Sequence, residues 1–219
     1  MKMLKTFAIE IENNLEKLMN ISRRKWLLSV IDKNMFEKET HILDLGGGNG
    51  TIPFYLYTKG FKFKYLGIDK KKRQIRIGNK LFKRNKMKDA KCIYCDFDYS
   101  LPFDDSTFSQ AWLIGAYVRG FKSEYQNVFN EVYRVLKPGG LFLFDAPSED
   151  EKREKYQHRL LSKKQINDII DKKFTIISIQ LYVRNGSEER PVGHPQRTDD
   201  EYHYWGIVCK KNREVDNEK

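Results

Sequence analysis

The stretch HILDLGGGNG, His41 to Gly50, constrains this chain more than any other. Ile42, Leu43 and Leu45 make a short apolar run of the kind seen in a buried parallel strand. The run stops where Gly46, Gly47, Gly48 and Gly50 remove nearly every Cβ. Glycine tolerates positive φ and lets a ligand touch bare backbone, so a glycine-rich turn at a strand end reads as a binding loop. Thr51 to Lys59 can then start a helix, with Pro53 tolerated in its first turn. Strand, glycine turn and helix open a nucleotide-binding α/β unit. A dinucleotide fingerprint needs G-x-G-x-x-G, and Thr51 stands where its third glycine belongs. What is present is D-x-G-x-G-x-G, carried by Asp44, Gly46, Gly48 and Gly50.

Three later segments extend the pattern. In YLGIDKKK an apolar strand ends at Asp69, about 25 residues after Asp44, comparable to the roughly 20-residue spacing of a ribose-binding acid. In KCIYCDFDYSLPFDDSTFSQAW a strand ends at Asp96, and Leu101-Pro102-Phe103-Asp104 to Phe108 follows. EVYRVLKPGGLFLFDAP reads as helix, turn and a fifth strand. In this order, from Ile42 to Pro147, the four segments resemble the class I S-adenosylmethionine (AdoMet)-dependent methyltransferases, nearest the group that includes quinone-biosynthesis enzymes.

That resemblance implies an α/β fold, a Rossmann-like three-layer sandwich with a mostly parallel seven-stranded sheet and a C-terminal antiparallel hairpin. It implies AdoMet as cofactor and S-adenosylhomocysteine as product. By the same resemblance Asp44 orders the loop, Gly46, Gly47 and Gly48 allow close approach, and Asp69 takes the ribose hydroxyls. Asp96 and Phe97 would meet the adenine, with Asp98 as a substitute acid, and Ile114 would line the site. Lys70 departs from the pattern, since an apolar residue usually packs on adenine there; its alkyl stem is the available substitute. After the fourth strand, Ile114-Gly115-Ala116-Tyr117 replaces the N/D-P-P-Y/F motif of base-modifying amino-methyltransferases. The resemblance, with no recognisable RNA-binding appendage in the sequence, implies a small-molecule acceptor, methylated at O, N or C. Oxygen and nitrogen acceptors often need a base within hydrogen-bond reach, for which Tyr117, Asp145, His194 and His203 are candidates. Asp145 ends the fifth strand, at the carboxyl edge where open α/β sheets bind ligands. Two other readings stay open, a tRNA or rRNA methyltransferase and a non-catalytic AdoMet-binding protein.

At 219 residues the chain reads as one domain over 1–212 with a polar tail, 213–219. Within it, N-terminal helices (1–36) are expected over the cofactor site, the AdoMet-binding core spans 40–147, and a helix and hairpin occupy 160–211. Leu4, Phe7, Ala8, Ile11, Leu15, Leu18 and Met19 recur at helical spacing. A second helix carries Trp26 and Leu27. Arg23-Arg24-Lys25 has two readings, a basic run that reaches cofactor or substrate and a solvated turn, of which the turn is favoured. The long polar connection from Arg184 to Glu201 has the length of a functional lid or a disordered segment.

The net charge of +11 promotes contact with polyanions without fixing a fold. Lys72, Arg76, Lys80 and Lys83 fall on one helix face, so nucleic acid is an alternative partner through this basic surface. Cys92 and Cys95 lie three apart on a strand, pointing to opposite faces, and no metal site is expected. Glu10, Glu12 and Glu16 interrupt any signal-peptide core, and no run reaches the roughly 18 apolar residues of a membrane span. The expectation is a cytoplasmic protein without membrane insertion, its oligomeric state unread.

Overall fold

The computed structural model describes residues 2–20, 22–36, 39–97, 100–116, 122–149, 160–185 and 201–213. Three helices, α1 (Lys2–Asn13), α2 (Leu15–Met19) and α3 (Ser22–Val30), precede β1 (His41–Leu45). Then come α4 (Thr51–Thr58), β2 (Lys64–Asp69), α5 (Lys72–Arg84), β3 (Ala90–Tyr94) and β4 (Phe108–Leu113). The rest is α6 (Lys122–Val135), β5 (Leu136–Pro147), α7 (Lys163–Ile170), β6 (Phe174–Asn185) and β7 (Glu201–Lys211). Seven strands form one sheet, ordered β3-β2-β1-β4-β5-β7-β6. The first five pair in parallel, while β7 runs antiparallel between β5 and β6. This is the expected Rossmann-like three-layer sandwich, with the hairpin closing one edge.

The core is split by the sheet. Leu43, Leu45, Phe142 and Phe144 pack with Phe129 of α6 and Ile166 of α7 on one face. Ile42 and Trp112 pack with Trp26 of α3, Phe54 of α4, and Leu81 and Phe82 of α5 on the other. β1 is thus apolar on both sides, as a central parallel strand must be. Cys92 and Cys95 fall into opposite clusters, in keeping with their spacing.

Sequence cues and element ends agree at several points. Gly60, at φ +85°, follows α4 directly, where a left-handed residue can end a helix without a Cβ clash. Ser162 and Gln165 form a capping box before α7, with reciprocal bonds of 2.9 and 3.1 Å. The first apolar repeat is two helices rather than one. It breaks at Asn14, whose side-chain amide donates to the Glu10 carbonyl (2.9 Å) and whose backbone leaves helical geometry.

The loop from Leu101 to Phe108 is fastened to α6 by one arginine. The Arg134 guanidinium donates to the carbonyls of Phe103 (2.7 Å) and Leu101 (2.8 Å), and to Asp105 (2.8 Å) and Glu131 (2.8 Å). Glu131 in turn accepts the Leu101 amide at 2.7 Å. These bonds hold the Glu131 carboxyl below its ordinary range, Arg134 being the main cause.

Candidate functional site

At the carboxyl edge of the sheet the glycine loop leaves β1 and enters α4. The amides of Gly46 and Gly47 both donate to the Ile68 carbonyl, at 2.8 and 3.1 Å, which fastens the loop to the end of β2. The four glycines serve different ends. A methyl group on Gly46 would come within 2.2 Å of the Ala116 Cβ, one on Gly47 within 2.5 Å of the Tyr65 hydroxyl, and one on Gly50 within 2.3 Å of Phe82. Those three let protein pack on protein. Gly48 is the exception: at φ +57° its added methyl group would meet nothing closer than the Gly46 carbonyl oxygen, at 3.9 Å. Its bare backbone faces open space, and its amide donates to Asp69 Oδ2 at 3.1 Å.

Asp44 lies beneath this loop. It is 4% exposed and accepts the Tyr65 hydroxyl at 2.8 Å. Burial pushes its carboxyl up to about 7; the Tyr65 hydrogen bond opposes that shift, and the nearby Asp69 charge adds to it. Tyr65, buried on β2, is a partner that the sequence reading missed. Its signal was Gly67, two residues along the same strand face, where a methyl group would come within 2.7 Å of the Tyr65 hydroxyl.

Asp69 ends β2 and joins two loops. Its Oδ1 accepts the Lys71 amide at 2.7 Å while Oδ2 takes Gly48. Lys70 reaches across to Asp96 at 3.7 Å. Phe97 is buried near Gly46 and Ala116, and Ile114 is buried just past the end of β4. The structure therefore gathers Asp44, Gly46, Gly47, Gly48, Asp69, Lys70, Asp96, Phe97 and Ile114 along one edge. Asp98 lies outside the described residues.

The candidate bases divide. Tyr117 and His194 lie outside the described residues, as does most of the 184–201 connection. Asp145 is enclosed, its side chain 2% exposed. Oδ2 accepts from Arg23 Nε (2.6 Å) and the Tyr182 hydroxyl (2.7 Å), and Oδ1 accepts the Gly115 amide (2.7 Å). Arg23 is thus a part-buried ion-pair partner in the first turn of α3, rather than a solvated turn residue. Trp26 stacks on Tyr182 (5.9 Å) and Tyr182 on Tyr204 (5.7 Å), completing this wall. Burial, with the Asp145 charge second, pushes the Tyr182 phenol well above its ordinary range. His203 stands near the start of β7, its Nδ1 buried without a hydrogen-bond partner among the described residues. Its backbone carbonyl accepts the Ser148 amide at 3.0 Å.

The family model for the methyltransferase domain matches residues 36–203. Over 114 residues the chain is 32% identical to the sterol 4-C-methyltransferase of Caenorhabditis elegans, covering 52% of this chain and 33% of that protein. It is 28% identical over 120 residues to the demethylmenaquinone methyltransferase of Symbiobacterium thermophilum, covering 54% of this chain and 47% of that protein. The chain thus spans a third to about half of the length of these curated relatives. A crystal structure of a SAM-dependent methyltransferase from Methanosarcina mazei shares the fold, with a TM-score of 0.60 at 20% identity over 83% of this chain and 96% of that one.

Proposed function

Because the chain belongs to the methyltransferase-domain family, we propose that it transfers a methyl group from S-adenosylmethionine to a small-molecule acceptor, at O, N or C. S-adenosylmethionine is the cofactor this family implies, and when bound it supplies an electrophilic methyl carbon on a sulfonium sulfur. The observation that carries the reading is Gly48, the one glycine of the loop whose missing side chain leaves open space instead of room for packing.

The residues present fit that cofactor. Amides at a helix start favour a carboxylate, and α4 opens with those of Thr51 and Ile52 directly after the glycine loop, whose own glycine amides are spent on Ile68, Asp69 and Gly47. An ionised carboxylate has about four lone-pair sites. Asp69 uses two of them on Gly48 and Lys71, which leaves acceptor capacity for ribose hydroxyls. Phe97 and Ile114 supply apolar walls, and the Lys70 stem with Asp96 borders the adenine side. The protein's work is to hold acceptor and donor in near-attack geometry and to keep water out. Where the acceptor must lose a proton, His203 is the base we favour. Its Nδ1 makes no other hydrogen bond among the described residues, whereas three donors occupy Asp145. The relatives named above act on a sterol and on demethylmenaquinone, which supports an apolar, ring-bearing acceptor. Among the described residues no helix is long and apolar enough to cross a membrane, and a cytoplasmic site of action is part of the proposal.

The test is Gly48→Val. A side chain at this left-handed position strains the backbone by about 1–2 kcal/mol, but its Cβ would meet no protein atom closer than the Gly46 carbonyl oxygen, at 3.9 Å. Calorimetry should show AdoMet and S-adenosylhomocysteine binding weakened by more than about tenfold, a loss of roughly 1.4 kcal/mol or more, in a variant that still melts cooperatively. Unchanged affinity in the folded variant would remove the cofactor from this loop.

A further inference from the structure

Arg23, Asp145, Gly115 and Gly46 form a continuous chain from the N-terminal helices to the glycine loop. Arg23, in the first turn of α3, is paired with Asp145 on β5 at 2.6 Å, with side chains 15% and 2% exposed. Asp145 is not spent on that pair alone. Its other oxygen holds the amide of Gly115, at φ +71°, immediately after Ile114. The arginine also lies against Gly115 directly, since a methyl group there would come within 2.2 Å of Arg23 Nη1. The next residue, Ala116, rests against Gly46, the first glycine of the cofactor loop. Each contact is close enough that displacing one member moves the next.

We propose that Asp145 is a positioning residue rather than a base: held by Arg23, it sets the Gly115 turn against the glycine loop, so that docking of α3 and capture of the cofactor are one event. This rests on the AdoMet reading of the loop. The physical reason is the burial of the carboxylate. A buried charge that loses its partner is strongly unfavourable, so Asp145 has one well-defined seat only while Arg23 is in place. Withdrawing α3 frees the carboxylate to turn toward water, and the Gly115 amide then loses its acceptor. Ala116 is thereby released from Gly46. Coupling is reciprocal, so a cofactor that needs the formed loop must also favour the docked helix.

The experiment compares the full-length chain with Arg23→Met and Arg23→Lys. AdoMet affinity is measured by calorimetry well below the melting temperature, and amide hydrogen exchange of α3 is followed with and without saturating AdoMet. In the wild-type protein AdoMet should slow exchange in α3. Arg23→Met should bind AdoMet about tenfold more weakly, within the range of ordinary allosteric coupling, and its α3 should no longer respond. Arg23→Lys, which keeps the charge, should recover most of the affinity. A purely structural role predicts instead a lower melting temperature with affinity unchanged. If Arg23→Met does not fold, Tyr182→Phe removes one of the three donors and leaves the ion pair intact; it should weaken AdoMet by a smaller factor, about threefold. Affinity within about twofold of wild type in whichever of these variants is folded, or α3 exchange indifferent to AdoMet in the wild type, overturns the coupling alone. A wild-type protein that binds no AdoMet overturns the cofactor reading and the coupling together.

Discussion

Asp44 is the residue where folding and function press hardest against each other. It sits in a strand that is apolar on both faces, and burial is the main reason that its carboxyl is pushed from 3.8 up to about 7. An acid whose folded-state pKa is raised gives stability that is fully present below the unfolded value and lost as pH rises through the folded one. The window here runs from about pH 4 to pH 7, with a slope of at most about 1.4 kcal/mol per pH unit. Denaturant titrations should therefore show the wild-type protein losing stability across that window. Asp44→Asn, which keeps an acceptor for Tyr65 and has no charge to bury, should show a flatter profile; identical slopes would mean that Asp44 titrates near its ordinary value in the folded protein. Asp44 was legible in the sequence because an acid interrupting an apolar run before glycines calls for an explanation. Tyr65 was not, since a tyrosine in a strand reads as core until the register sets Asp44 beside Gly67 and leaves the ring room to lean across. The partner of Arg23 was hidden for a related reason. Its counter-charge lies on β5, far away in sequence, and only the folded sheet brings the two together.

At the scale of elements, the docking of α3 on the hairpin is the contact most open to a single test. The Trp26 indole lies flat on Gly206 of β7, where a methyl group would come within 2.2 Å of the ring. Glycine inside a strand is a cue for close approach, and here the approach is an aromatic ring rather than a ligand. Gly206→Ala should force the indole to shift, at a cost of about 1–3 kcal/mol as in other overpacked cores. Chemical denaturation measures the loss, and faster amide exchange in α3 than in β4 would locate it. An unchanged midpoint would mean that Trp26 has another seat. The helices and strands of the α/β repeat were readable because each carries its own period and stop signals, such as Gly60 after α4 and the Ser162–Gln165 box before α7. The fastening of the Leu101–Phe108 loop was not. Its glutamate and arginine are ordinary helix residues in sequence, and their partners are mostly backbone carbonyls and amides.

For the whole molecule, strand order was the part that local patterns could not dictate. The placing of β7 between β5 and β6 depends on pairings across the whole sheet, and the sequence offered only a C-terminal antiparallel hairpin without that order. Charge is the other whole-molecule property, and the fold decides how much of it bears on the site. α5 starts at the carboxyl edge and runs away from it for 13 residues, about 20 Å at 1.5 Å per residue. Its basic residues are partly committed to packing: Arg84 pairs with Glu12 of α1 at 3.1 Å, Arg73 covers Phe7, and Lys72 covers Tyr94. The face that carries Lys72, Arg76, Lys80 and Lys83 thus leads away from the glycine loop rather than into it. Replacing these four by glutamine should leave AdoMet affinity unchanged and methyl transfer to a small acceptor intact. Binding to bulk RNA should weaken and its salt dependence flatten, because fewer phosphates are neutralised. Methyl transfer to RNA that collapses in this variant, with AdoMet affinity preserved, would instead make the basic face a substrate track and RNA the acceptor.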